Sequence, residues 1–252
     1  MNYELLNIKP FILLLIFAWL TSTCSNSSYT VNENGITVVI GKPATQSTRL
    51  VRILVLSDDI FRVSATPEKV FTDKESLCVI MKPGSVKNWT VKETEQDVVL
   101  STPTTMVSVS LATGRVTFRD RDGNLIVGED PSGRTFSDTT VDGRHGFMIH
   151  QVFEGRDDEA IYGLGQHQSD EINYKGKNEV LFQYNTKVSV PFIVSTAGYG
   201  ILWDNYSLTR YGNPDDFRPL SMLKLYDSEG REGGLTATYY ERSDTGNVFL
   251  SR

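Results

Sequence analysis

From Gly35 onward the chain alternates short runs of β-branched and aromatic residues with turn residues. The runs are Ile36-Thr-Val-Val-Ile40, Leu50-Val-Arg-Ile-Leu-Val-Leu56, Ile60-Phe-Arg-Val-Ser64, Trp89-Thr-Val-Lys92, Val98-Val-Leu100 and Met106-Val-Ser-Val-Ser-Leu111. Several alternate apolar with polar positions, which is the period of a strand with one face buried. Two connecting turns are legible, Ala112-Thr-Gly-Arg115 before Val116-Thr-Phe118 and Asp120-Arg-Asp-Gly-Asn124 before Leu125-Ile-Val127. Gly and Asn there supply the positive φ that tight hairpins need. No segment beyond the first 28 residues keeps a helical period over a useful length. The pattern predicts an all-β fold, an antiparallel β-sandwich.

Residues 129–144 are polar and rich in turn formers, and they read as a long surface loop. Strands resume at Gly146-Phe-Met-Ile-His-Gln-Val-Phe153 and continue to about Tyr211, with no domain boundary between. Composition changes at Asp227-Ser-Glu-Gly-Arg-Glu-Gly-Gly234, a linker in character. The run Leu235-Thr-Ala-Thr-Tyr-Tyr240 then opens a further β element. The expected organisation is a leader over 1–23, a sandwich over 29–227, and a linker with a first strand over 228–252.

The leader is read from its order of residues. Lys9 precedes the apolar run Phe11-Ile-Leu-Leu-Leu-Ile-Phe-Ala-Trp-Leu20, small residues Thr21-Ser-Thr23 follow, and then Cys24. That is the order of a secretory signal. The run falls well short of the roughly 20 residues a membrane-spanning helix needs. A cysteine directly after it, followed by Ser25-Asn-Ser-Ser28, is similar to a bacterial lipoprotein signal, so Cys24 is the candidate lipidation site and the lipid the expected membrane contact. An ordinary cleavage site beside a cysteine is the alternative. The expected location is the periplasm or an outer-membrane lipoprotein pool.

Charge and composition remove several classes. The net charge is −6 over 252 residues with the signs mixed along the chain, which argues against nucleic acid as a partner. The second of the two cysteines, Cys78, sits in the apolar run Leu77-Cys-Val-Ile-Met81 and is expected to be a buried free thiol in a strand. Two cysteines and three histidines in unrelated contexts support neither a disulfide scaffold nor a metal site, and no cofactor is implied.

Three pieces then occur in order: Glu159-Ala-Ile-Tyr-Gly-Leu-Gly-Gln-His167, Phe182-Gln-Tyr-Asn185 with Val190-Pro-Phe-Ile193, and Gly198-Tyr-Gly-Ile-Leu-Trp-Asp204. Together they resemble the N-terminal, galactose-mutarotase-like β-sandwich of family-31 glycoside hydrolases. Gly233-Gly-Leu-Thr-Ala-Thr-Tyr-Tyr240 is similar to the first strand of a protective-antigen-type insert found in some α-xylosidases acting on xyloglucan fragments. The resemblance implies an α-linked xylose- or glucose-containing oligosaccharide as ligand. It also implies a following catalytic barrel, absent from this sequence, which would carry the hydrolytic carboxylates. The nucleophile's Trp-x-Asp-Met context does not occur here, and Asp204 corresponds to a structural position.

By that resemblance the loop after Val180-Leu-Phe182 reaches over the sugar. Gln183, Tyr184 and Asn185 are the expected substrate contacts, an aromatic face for a pyranose and amides for hydroxyls; turn residues that only cap the strand are the alternative. His167 is a further candidate as a hydrogen-bond donor to sugar, or else a packed imidazole. The carboxylates of Asp157-Asp-Glu159 and Asp215-Asp216 read as solvated turns. Tyr199, Trp203, Tyr206 and Tyr211 read as core or interface aromatics. Two other functions remain open: a standalone carbohydrate-binding lipoprotein, and a mutarotase-like epimerase, for which no His and Glu pair is identifiable.

Overall fold

The computed structural model describes residues 27–41, 47–72, 75–81, 88–169, 171–212, 224–227, 230–233, 238–240 and 248–251. The leader with Cys24, the Asp215-Asp216 pair, and Ser228, Glu229 and Gly234 of the expected linker lie outside them. Among the described residues there is no helix, and every strand pair is antiparallel. The chain divides into two compact units, residues 1–156 and 157–252.

The first unit is a sandwich of two meandering sheets. One contains β1 (Tyr29–Asn32), β2 (Gly35–Val39), β3 (Leu50–Val55) and β4 (Phe61–Thr66) in that order. The other contains β5 (Thr90–Glu93), β6 (Asp97–Ser101), β7 (Thr105–Ser110), β8 (Val116–Asp120), β9 (Leu125–Val141) and β10 (Arg144–Glu154), with spatial order running from β10 to β5. The alternation along each strand turns one set of side chains inward. Ile36 and Val38 of β2 and Val51, Ile53 and Val55 of β3 meet Val98, Leu100, Val107, Val109 and Val116 of the facing sheet in one core. Burying each such side chain is worth about 1.5–3 kcal/mol, which is why the runs read from the sequence became these strands.

Two expectations are corrected here. Residues 129–144 are not a loop but most of a long hairpin, in which Arg144 pairs with Val141 and the ladder runs down to Gln151 opposite Arg134. Asp142 and Gly143 both take positive φ, 50° and 74°, the geometry of a two-residue hairpin turn. The inward residue Phe136 is buried, its neighbours on the pleat are Ser and Thr, and that polar alternation conceals the strand. Near the base, residues 130–133 stand opposite Val152 alone. Arg134 closes this bulge: it pairs with Glu129, donates to Gln151 Oε1 at 2.8 Å and to the Gly114 carbonyl at 3.2 Å, while the Val116 amide donates to Glu129 Oε2 at 2.9 Å.

Cys78 is the second correction. It is an exposed thiol in a bend, with Leu77 and Ile80 also exposed, and not a buried strand residue. A continuous apolar run carries no period, and among the described residues no partner strand covers this one.

The second unit holds β11 (Ile161–Gln166), β12 (Glu179–Leu181), β13 (Val188–Ser195), β14 (Gly200–Leu202) and β15 (Thr209–Tyr211). β11, β13 and β14 form one sheet with β13 central, and β12 pairs with β15. Ile161, Leu164, Tyr174 and Leu181 make its small core, flanked by Ile193 and Tyr211. Beyond it lie two short hairpins, β16 (Leu225–Tyr226) with β17 (Glu232–Gly233) and β18 (Thr238–Tyr240) with β19 (Val248–Ser251).

Candidate functional site

The Tyr162-Gly-Leu-Gly-Gln166 stretch of β11 is a bulge. Gly163, Leu164 and Gly165 all have positive φ, 119°, 63° and 96°, and the register with β13 slips between the two glycines. A Cβ on Gly163 would lie 2.3 Å from the Phe192 carbonyl oxygen, and one on Gly165 would lie 2.0 Å from that of Val188. Only glycine permits both the torsion and the approach. Leu164 accepts the strained αL geometry because its side chain is drawn into the core and its carbonyl is capped. His167 Nε2 donates to that carbonyl at 2.7 Å.

The His167 imidazole is fully buried, with its edge to Tyr174 at 6.3 Å between centroids. Nδ1 lies 3.3 Å from Glu179 Oε1 without an aligned hydrogen bond. Glu179 Oε1 also accepts from Lys187 Nζ at 2.8 Å. Burial pushes the Glu179 carboxyl up, but the Lys187 hydrogen bond and the charges of His167 and Lys187 outweigh it and hold it below its ordinary value. The same hydrogen bond raises the Lys187 ammonium.

Lys187 ends the loop that begins after β12. Its amide donates to the Tyr184 carbonyl at 3.0 Å, and its Nζ lies 5.8 Å from the centre of the Tyr184 ring. The expected contacts now separate. Tyr184 is 45% exposed, and Asn185 beside it is exposed. Gln183 uses its amide inside the loop, donating to the Lys187 carbonyl at 2.6 Å and accepting from the Ser189 amide at 3.0 Å. The His167 side chain is buried and reaches the loop through Glu179.

Three members of this arrangement were not foreseen. Phe182 is 57% exposed and tilted against Tyr184 with centroids 6.1 Å apart; the two aromatics at i and i+2 were the available signal. Glu179 and Lys187 meet across eight residues of sequence, and nothing local announces the pair. A shallow depression of about 390 Å³ lies alongside, lined by Tyr162, Gln166, His167, Ser169, Glu171 and Tyr174 among others.

Glu159 also departs from expectation. It is not a solvated turn residue but is buried, accepting from the Ser195 and Tyr199 hydroxyls. Burial, then the Glu159 hydrogen bond, raises the Tyr199 phenol far above its ordinary value. Asp204 accepts from the Tyr206 hydroxyl at 2.7 Å, and Tyr211 packs edge-on to Tyr174. On the sheet's other face Tyr162, Val188, Val190, Phe192, Val194 and Leu202 are each 40–50% exposed. They are brought side by side by the pairs Tyr162 with Val194 and Phe192 with Leu202. Among the described residues no three His, Cys, Asp or Glu side chains are grouped to hold a metal.

Comparison with known proteins identifies the domain. Residues 50–211 match the glycosyl hydrolase 31 N-terminal galactose mutarotase-like domain. An α-xylosidase of Saccharolobus solfataricus is 35% identical over 111 residues, which cover 40% of this chain and 15% of the relative. The crystal structure of a GH31 α-xylosidase from Xanthomonas citri superposes with a TM-score of 0.75 at 37% identity, covering 88% of this chain and 24% of that one. A GH31 α-xylosidase from a soil metagenome, solved with xylose, shares the fold at a TM-score of 0.59 and 24% identity, covering 73% of this chain and 29% of that one. The chain thus spans between about a seventh and under a third of the length of these relatives.

Proposed function

Because the chain belongs to the glycosyl hydrolase 31 N-terminal galactose mutarotase-like domain family, we propose that it supplies one wall of the sugar pocket of an α-xylosidase-type glycosidase. In this reading the hydrolytic carboxylates lie on a catalytic barrel, and this chain contributes binding surface. The observation that carries the proposal is the exposed pair Phe182 and Tyr184, set beside the Asn185 amide on a loop braced from within by Gln183 and Lys187. A pyranose has an apolar C–H face that stacks on such rings, and its hydroxyls bond an amide. The ligand is an α-linked xylose- or glucose-containing oligosaccharide.

The apolar face built by Tyr162, Val190, Phe192 and their neighbours is the surface assigned to the barrel. A contiguous exposed apolar patch of this kind marks an interaction site. The leader is read as an export signal, with Cys24 as lipid anchor at a bacterial membrane; the order of Lys9, the apolar run and Cys24 supports that reading. Cys24→Ala should release the chain from membranes, and unchanged membrane association would exclude the thiol anchor.

Titration of the isotope-labelled chain with xyloglucan oligosaccharides, followed by amide NMR, tests the sugar site. Shifts should concentrate in residues 182–187 at millimolar ligand and vanish in Tyr184→Ala. Shifts confined to other segments, or none at all, would overturn the assignment.

A further inference from the structure

We infer that Glu179 and Lys187 are positioning residues that hold the Tyr184 ring in its sugar-receiving orientation, with His167 bracing Glu179 from behind. The inference rests on the reading of Tyr184 as a sugar contact and adds the device that sets its geometry. Tyr184 is nearly half exposed, and such a ring ordinarily samples several rotamers. Here one side of it is guarded by the Lys187 ammonium, 5.8 Å from the ring centre, within the range of a cation–π contact.

Lys187 is not itself free to wander. Its side chain is 18% exposed and its ammonium is tied at 2.8 Å to Glu179 Oε1, on a carboxylate whose side chain is 8% exposed. Glu179 is fixed in turn by its place in β12, by His167 Nδ1 at 3.3 Å, by its contact with the Val180 amide at 3.2 Å and by the Ser169 hydroxyl at 3.5 Å. His167 is anchored to the Leu164 carbonyl in the glycine bulge. A chain of contacts therefore runs from the strained Gly163–Gly165 backbone through His167, Glu179 and Lys187 to the Tyr184 ring. An aromatic wall held in one orientation loses less entropy when a sugar lands on it, which converts rigidity into affinity.

The test compares wild type, Tyr184→Ala, Lys187→Met, Lys187→Arg and Glu179→Gln, each as the full chain. It measures unfolding midpoint, affinity for xyloglucan oligosaccharides, and the Tyr184 ring-proton resonances without ligand. Lys187→Met should keep its fold, move the Tyr184 ring protons toward their free-tyrosine positions and weaken binding about two- to tenfold, the scale of one side chain's ordering. Lys187→Arg, which can still reach both carboxylate and ring, should restore most of the affinity. The titratable groups facing Glu179 are Lys187 and His167, with the Tyr174 and Tyr184 phenols close to Lys187. Wild-type affinity should fall only when acid protonates the Glu179 carboxyl, below the ordinary glutamate range, and Lys187→Met should lose that dependence.

Unchanged ring resonances and affinity in Lys187→Met, with Tyr184→Ala still defective, would overturn the positioning role and leave the sugar site standing. Wild-type affinity in Tyr184→Ala would overturn the sugar site and the inference with it. If Lys187→Met fails to fold, Glu179→Gln carries the same ring-resonance and affinity criteria.

Discussion

Replacing Arg134 by Met tests whether a buried charge pair holds the base of the β9–β10 hairpin. The Arg134 and Glu129 side chains are 9% and 7% exposed, so neither charge has water to fall back on. With the guanidinium gone, Glu129 keeps the Val116 amide at 2.9 Å and the more distant field of Arg115, itself engaged with Glu154 at 2.7 Å. Gln151 Oε1 and the Gly114 carbonyl also lose their donor. Removing one partner of a buried pair costs about 3–5 kcal/mol, and Arg115 places the expected loss near the lower end, about 3 kcal/mol.

The pH dependence is the sharper discriminator. Burial already raises the Glu129 carboxyl above its ordinary value, against Arg134 and the Val116 amide. A folded-state pKa above the unfolded one contributes stability that is fully present below the unfolded value and is lost as pH rises through the folded one. Deleting Arg134 widens that gap. The destabilisation should be larger at about pH 8 than at about pH 5, where protonation of Glu129 begins to remove the uncompensated charge. Urea denaturation at both pH values measures it, and the double variant Glu129→Gln/Arg134→Met should recover at least part of the loss. A loss within about 0.5 kcal/mol at both pH values, the range of an ordinary surface change, would refute the argument. So would a loss that does not change with pH.

Two further outcomes follow from the second unit. Gly163→Ala places a Cβ 2.3 Å from the Phe192 carbonyl at a φ of 119°, so it should destabilise by at least the roughly 1–3 kcal/mol of a strained backbone, read as a lower urea midpoint. Glu159→Gln weakens the acceptor of the Ser195 and Tyr199 hydroxyls; ultraviolet titration should show Tyr199 ionising earlier in alkali than in wild type, and an unchanged curve would mean that burial alone sets it.

Most strands of the first unit were legible because their buried sets, such as Val98 with Leu100 and Val107 with Val109, alternate with polar residues. The glycines at 163 and 165 were legible as bend formers, though the carbonyls of Phe192 and Val188 that demand them come from 23 or more positions away in sequence. The hairpin over 129–144 was hidden because its single inward aromatic, Phe136, sits among Ser, Thr and Asp, and Asp142-Gly143 was read as surface rather than as a turn. Glu159 looked solvated because its partners Ser195 and Tyr199 arrive 36 and 40 residues later. The loop over 183–185 was singled out by family resemblance. Its bracing by Glu179 and Lys187 depends on how β12 and β13 fold together, which no local pattern records.

A chimera tests most directly the proposed place of this chain as the substrate-facing wall of an α-xylosidase. Residues 29–227 would replace the matching segment of the Xanthomonas citri α-xylosidase, with hydrolysis of an α-xyloside as the readout. The account predicts an active chimera whose kcat/KM falls about tenfold or more on Tyr184→Ala, the equivalent of about 1.4 kcal/mol of lost aromatic contact. A folded, active chimera with the same kcat/KM before and after Tyr184→Ala would contradict it.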